Sequence, residues 1–208
     1  MIDRRATIDA ALDLVAEKGW TAVGLRDIAA AAGVGLAALY VVFPSKIALV
    51  SAFMAGTDAV VLEGVEPSTD PDETARDRLF DVLMQRYELL KPRRAALEAI
   101  ARGVLRDPVA ALALRRALLR SMGAMLEAAG ISADGARGAV RKNALAMVHI
   151  AVSRVWSGDE SADMSKTMVA LDHRLKRLGR WSQSIDKIVN FRKRRTPTET
   201  AVAPEAGG

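Results

Sequence analysis

Along most of this chain, apolar side chains recur at intervals of three and four, the period of an amphipathic helix. Ile8, Leu12 and Val15 share one face of a first helix, which Gly19 ends. Thr21 is placed to cap a short second helix running through Ala32. Gly33 turns the chain, and Leu36–Val42 forms a third. Pro44–Ser45 opens a fourth, from about Ser45 to Gly64. Residues 65–72, VEPSTDPD, read as a linker because prolines and acids interrupt the period. Further helices are expected near 73–90, 93–106, 108–130, 134–157, 163–178 and 181–195. Pro92 and Pro108 stand where a first turn tolerates proline, and Gly103, Gly123, Gly130 and Gly158 stand at bends or ends. Polar residues 196–208 read as a disordered tail. The expected fold is all-α: a three-helix amino-terminal domain over 1–52, an antiparallel helix bundle over 53–195, and the tail.

Composition narrows the chemistry. Half of the 208 residues are apolar, enough for a sizeable core. Without cysteine there are no disulfides, thiolate zinc sites or cysteine nucleophiles. Asp3, Arg4 and Arg5 lead into an amphipathic segment rather than a signal peptide, and no apolar run approaches the roughly 20 residues of a membrane span, so a cytoplasmic location is expected. His149 and His173 have no serine, carboxylate or metal-ligand spacing around them, and no glycine-rich phosphate loop is visible. No enzyme, metal or cofactor is expected. The net charge of +5 is unevenly placed: residues 1–64 sum to −2, and residues 174–195 to +8.

The first three helices have the spacing of a helix-turn-helix. Leu25, Ile28 and Ala29 on the second, Gly33 and Val34 in the turn, and Leu39 on the third form its packing frame. The outward positions are unusual. Leu36, Ala37, Ala38, Val41 and Val42 carry no donors or acceptors for base edges, although an apolar side chain can meet a thymine methyl. Arg26, Tyr40, Lys46 and the helix start at Ser45 retain groups that hold phosphates. The candidate DNA-binding residues are therefore Arg26, Leu36, Ala37, Tyr40, Val41 and Lys46.

The stretches AALDLVAEKGW and LRDIAAAAGVGLAALYVVFPSK resemble the amino-terminal domain of TetR-family repressors over roughly residues 5–55. Leu39–Tyr40 and Phe43-Pro44-Ser45-Lys46 keep the family pattern. Gly35 stands at the usual Ser/Thr cap, and Val41–Val42 replace a polar pair. The resemblance implies a homodimeric transcription regulator that binds operator DNA, with an effector domain, and with dimer contacts through 134–157 and 163–178.

The second region carries broad apolar stripes, which ordinarily are core. Its methionines also suit an adaptable chamber for a small apolar effector or lipid. The candidate lining residues are Leu83, Tyr87, Leu118, Met122, Met125, Met147 and Trp156. RLFDVLMQRYELLKPRRAAL and VWSGDESADMSKTMVALDHRL resemble the lipid-binding accessory proteins of ubiquinone biosynthesis, which share the TetR fold. The matches are Trp156, Asp159, Ser161, Thr167, Leu171, Asp172 and Arg174. That resemblance implies the alternative of an isoprenoid-binding protein without DNA binding. For the basic, aromatic segment 181–195 three readings stand: ordinary packing, contact with an anionic membrane surface, or contact with nucleic acid.

Overall fold

The computed structural model describes residues 2–65 and 72–193, with side chains as far as Gly179. The described residues are helical throughout: α1 (Arg4–Lys18), α2 (Leu25–Ala31), α3 (Leu36–Val42), α4 (Lys46–Glu63), α5 (Ala75–Leu90), a 3₁₀ turn (Lys91–Arg93), α6 (Arg94–Val104), α7 (Pro108–Ala128), α8 (Gly135–Ser157) and α9 (Ser165–Lys193). Among them no single helix is long and apolar enough to cross a membrane.

Local chemistry sets the helix ends. The Asp3 carboxylate accepts the backbone N–H groups of Arg5 and Ala6 and starts α1. The α2 start differs from expectation. Thr21 does not cap it; Gly24 does, with its N–H donating to Asp27 at 2.7 Å. Gly33 then takes φ 65°, a conformation that side-chain-bearing residues rarely adopt, and α3 leaves α2 at 108°. The Ser45 hydroxyl accepts the Ala48 N–H and starts α4.

Two other expectations fail. Gly123 marks no bend and lies inside α7. The separate helices near 163–178 and 181–195 are one, because α9 runs through Gly179. A single interior glycine costs only about 1 kcal/mol against alanine, too little to force a break. The side chains of the aromatic, basic segment 181–195 and the tail 196–208 lie outside the described residues.

Two apolar cores form. The first gathers Leu12, Val15, Trp20, Ile28, Leu39, Phe43 and Leu49 from the head, but also Ala96, Ala99 and Ile100 from α6. The second gathers α5, α7, α8 and α9 around Leu83, Tyr87, Met122 and Trp156, and takes Val61 from the far end of α4. Thus α4 runs from one core into the other. Midway, Asp58 of α4 is fixed by two neighbours: Arg86 of α5 donates Nε to its carboxylate at 3.1 Å, and Ser121 of α7 donates its hydroxyl at 2.7 Å. Arg86 also donates to Ser121 at 3.0 Å, and its side chain is 2% exposed.

This buried pair makes a stability prediction. Arg86→Met strands Asp58 without its cation and is expected to cost about 3–5 kcal/mol, whereas Arg86→Met combined with Asp58→Leu recovers most of that loss. Urea unfolding of both variants checks it; a double variant no better than the single one contradicts it.

Candidate nucleic-acid interface

The seven residues of α3 divide cleanly. Leu39 is fully buried against the first core, while Leu36, Tyr40 and Val41 are 38%, 58% and 84% exposed. Ala37 and Ala38 also face out. Val42 does not join them; it is half-buried and packs on the head's core, one turn beyond Leu39. Arg26 is exposed on α2, and with Leu25, Leu36, Ala37 and Tyr40 it lines an open concavity of about 690 Å³. The outward surface of α3 is therefore apolar, flanked by one guanidinium and one phenol.

Lys46 takes a different role from the expected phosphate grip. Its Nζ donates to the carbonyl oxygens of Trp20 and Val23, each at 2.6 Å, and lies 4.3 Å from the centre of the Trp20 ring. Burial lowers its pKa, against the opposing charges of Asp107 and Asp27. The ammonium thus closes the α1–α2 connection, which its spacing to α3 could not disclose. A cation that sequence reasoning passed over sits better: the guanidinium of exposed Arg4 lies 4.8 Å from the Phe43 ring at the end of α3.

The second set of candidates is partly assembled. Leu83, Tyr87, Met122, Met125 and Trp156 meet in one buried core, and Leu118 packs at its margin. Met147 does not, being 68% exposed. On α8 the core side is set by buried Leu145 and Val152, and a residue two positions from the first falls on the opposite side of the helix.

Around Tyr87 the polar groups are closely matched. Its hydroxyl lies 2.9 Å from His149 Nδ1 and its ring stacks on the imidazole with centroids 5.3 Å apart. Burial, aided by the charge of Arg86, pushes His149 down to about 3, so the imidazole is neutral and its ring nitrogen can accept the phenol proton. Beyond α8, burial alone would raise Asp159. Hydrogen bonds from Ser161 and Thr167 outweigh it and hold the carboxyl well below the ordinary range. The Asp159–Ser161–Thr167 group picked out in the sequence is therefore a loop brace that opens α9.

Residues 8–53 match the sequence profile of the bacterial regulatory proteins of the tetR family. Solved structures share the whole architecture. A TetR transcriptional regulator from Nitrosomonas europaea is 25% identical, with a TM-score of 0.63 over 83% of this chain and 95% of that one. A TetR transcriptional regulator from Rhodococcus sp. RHA1 is 29% identical, with a TM-score of 0.52 over 83% and 94%. SmeT, the repressor of the Stenotrophomonas maltophilia multidrug efflux pump SmeDEF, shares the fold at 24% identity, with a TM-score of 0.51 over 84% and 89%. Among curated proteins none matches. These comparisons favour the repressor resemblance and lend none to the lipid-binding accessory family.

The inward turn of Lys46 is open to test. Lys46→Met is expected to lower stability by about 1–3 kcal/mol, as two hydrogen bonds from a charged, partly exposed donor are lost. The salt dependence of DNA binding should stay unchanged, whereas loss of a phosphate contact would reduce its slope by about one. Urea denaturation and salt-titrated binding read the two effects separately.

Proposed function

We infer that this chain is a transcription regulator of the tetR type, because residues 8–53 match the profile of the tetR family of bacterial regulatory proteins and sit within the fold of solved TetR transcriptional regulators. The protein is a ligand-responsive, DNA-binding transcription regulator. The exposed face of α3 carries this reading: a short helix is held at 108° to α2 by buried Leu39 and half-buried Val42, and Leu36, Ala37, Ala38, Tyr40 and Val41 are exposed. That crossing lies within the range of helix-turn-helix units that enter the major groove.

In this reading Arg26, the Tyr40 hydroxyl and Arg4 hold phosphates. Leu36, Ala37 and Val41 meet the base edges, where they favour thymine methyls and read DNA shape. The effector binds among the apolar residues of the second core, Leu83, Tyr87, Leu118, Met122, Met125 and Trp156. The protein acts in the cytoplasm, where its DNA is.

A second copy completes it. Val140, Met147 and Ile150 on α8 and Met168 and Val169 on α9 are between 40% and 69% exposed on two adjoining helices. An apolar face of this kind, presented on paired helices, is suited to a self-complementary twofold contact. Met147 then serves the dimer rather than the effector. Two heads are needed because one seven-residue helix spans too few base pairs, and twofold symmetry requires an inverted-repeat site.

Selection of genomic fragments by the purified protein is expected to recover a palindrome bound by two chains. Met147→Glu with Ile150→Glu should weaken dimerisation and DNA binding together. Arg26→Ala should lower the salt slope by about one. Leu36→Lys should raise affinity by adding a cation to the α3 face. A monomer by light scattering that enriches no sequence would overturn the proposal.

A further inference from the structure

Arg94, the first residue of α6, is half-buried and divides its guanidinium between two surroundings. Nη1 donates to the Asp159 carbonyl at 2.6 Å, and Cζ lies over the Trp156 ring, 4.9 Å from its centre. Nε and Nη2 are buried and have no hydrogen-bond partner, and neither has the Trp156 indole nitrogen. Trp156 is itself 3% exposed. Three donor nitrogens on two adjoining groups are thus buried without an acceptor, and a buried donor left unpaired is costly enough to call for an explanation.

The geometry says what would satisfy them. Nε–H and Nη2–H are the two parallel donors along one edge of a guanidinium, the edge that pairs with both oxygens of a carboxylate at once. Among the described residues Arg94 makes no ion pair, and the carboxylate of nearby Asp159 is turned to Ser161 and Thr167, so the free edge of the guanidinium meets no anion of the protein. Apolar side chains adjoin it: the Trp156 ring lies 5.7 Å from that of Tyr87, within the buried core that holds Leu83 and Met122.

We propose that the free edge of Arg94, with the Trp156 indole N–H beside it, recognises a carboxylate of this regulator's effector, which is therefore a carboxylic acid with an apolar body. The proposal rests on the reading of the chain as a ligand-responsive regulator and names the class of ligand. The position is also apt for a signal. The preceding residue, Arg93, donates to Asp9 at 2.6 Å and to Asp13 at 2.5 Å, both on α1 of the head. Lys91, two residues earlier, donates to the Ala162 carbonyl in the α8–α9 loop at 2.8 Å. A carboxylate drawn to Arg94 acts one residue away from the clamp that holds the head.

Calorimetric titration of the full-length protein with decanoate, dodecanoate and the matching fatty alcohols tests this. An acid should bind about tenfold or more tightly than its alcohol, and Arg94→Lys, which keeps the charge but loses the fork, should weaken the acid by at least about tenfold. Trp156→Phe, which keeps the ring and loses the N–H, should weaken it to a lesser degree. Arg106→Lys, at an exposed arginine, should leave it unchanged. The proposal is overturned if neither acid binds, as when an ordered water alone satisfies the three donors. It is equally overturned if acid and alcohol bind alike, or if Arg94→Lys has no effect. DNA binding separates the two levels. Acid binding that requires Arg94 but leaves DNA affinity unmoved supports the site and counts against the ligand-responsive reading. DNA binding released by a neutral ligand, with no acid bound, supports that reading and overturns the site.

Discussion

The head cannot bury its own tryptophan alone. Trp20, which ends the α1 turn, is covered by α6, and it reaches there only because residue 103 is glycine: a Cβ at that position would come within 2.7 Å of Trp20 Cβ. Ala96, Ala99 and Ile100 extend the same seat beneath Ala11, Leu12 and Val15. Arg93 clamps the outer side of α1 through Asp9 and Asp13, and Lys46 draws the Trp20 and Val23 carbonyls inward from beneath. Turning the head away from α6 would expose apolar surface, worth roughly 25 cal/mol per Å², and separate charged pairs. The second strut is α4, fixed at Asp58 to α5 and α7. A change in the second core therefore reaches the DNA-facing helices through two packed connections and not through a loose linker.

The apolar face of α3 changes how such a head can read DNA. Hydrogen-bonded readout of a base pair typically contributes 1–3 kcal/mol of discrimination per good bidentate pair, roughly, and Leu36, Ala37 and Val41 make none. In the proposed reading, what remains is phosphate positioning by Arg26, Tyr40 and Arg4, contact with methyl groups, and the energetic cost of fitting each sequence to a fixed protein surface. Affinity would then come mainly from charge and symmetry, and specificity from shape and from the spacing of two heads. The apolar α8–α9 face would matter for the same reason, since in the proposed dimer it sets that spacing.

Where the sequence carried short-range chemistry, it was readable. Leu36–Val42 begins and ends where its pattern says, because Gly33, Gly35 and Pro44 punctuate it within a few residues. The helical class, the buried candidates around Tyr87, and the start of α4 at Ser45 follow in the same way. The misreadings at the site depend on partners distant in the chain. Lys46 is turned inward by carbonyls more than twenty residues upstream. Met147 is apolar and helical like its neighbours, and only the packed neighbours of α8 decide that it faces out. Asp58 with Arg86, and Arg93 with Asp9 and Asp13, pair across 28, 84 and 80 positions, which no periodicity reveals. The break expected between 178 and 181 is local instead: α9 continues through Gly179 at small cost.

The central claim is that this apolar α3 reads DNA at all, and titration of the selected duplex against a scrambled duplex of equal length tests it most directly. The account predicts tighter binding to the selected duplex by less than about 4 kcal/mol, the low end for specific complexes, a steep loss of both affinities with salt, and collapse of the difference in Val41→Asp, which places a carboxylate at an 84% exposed position of the helix. Equal binding to both duplexes, or a preference untouched by Val41→Asp, would contradict it.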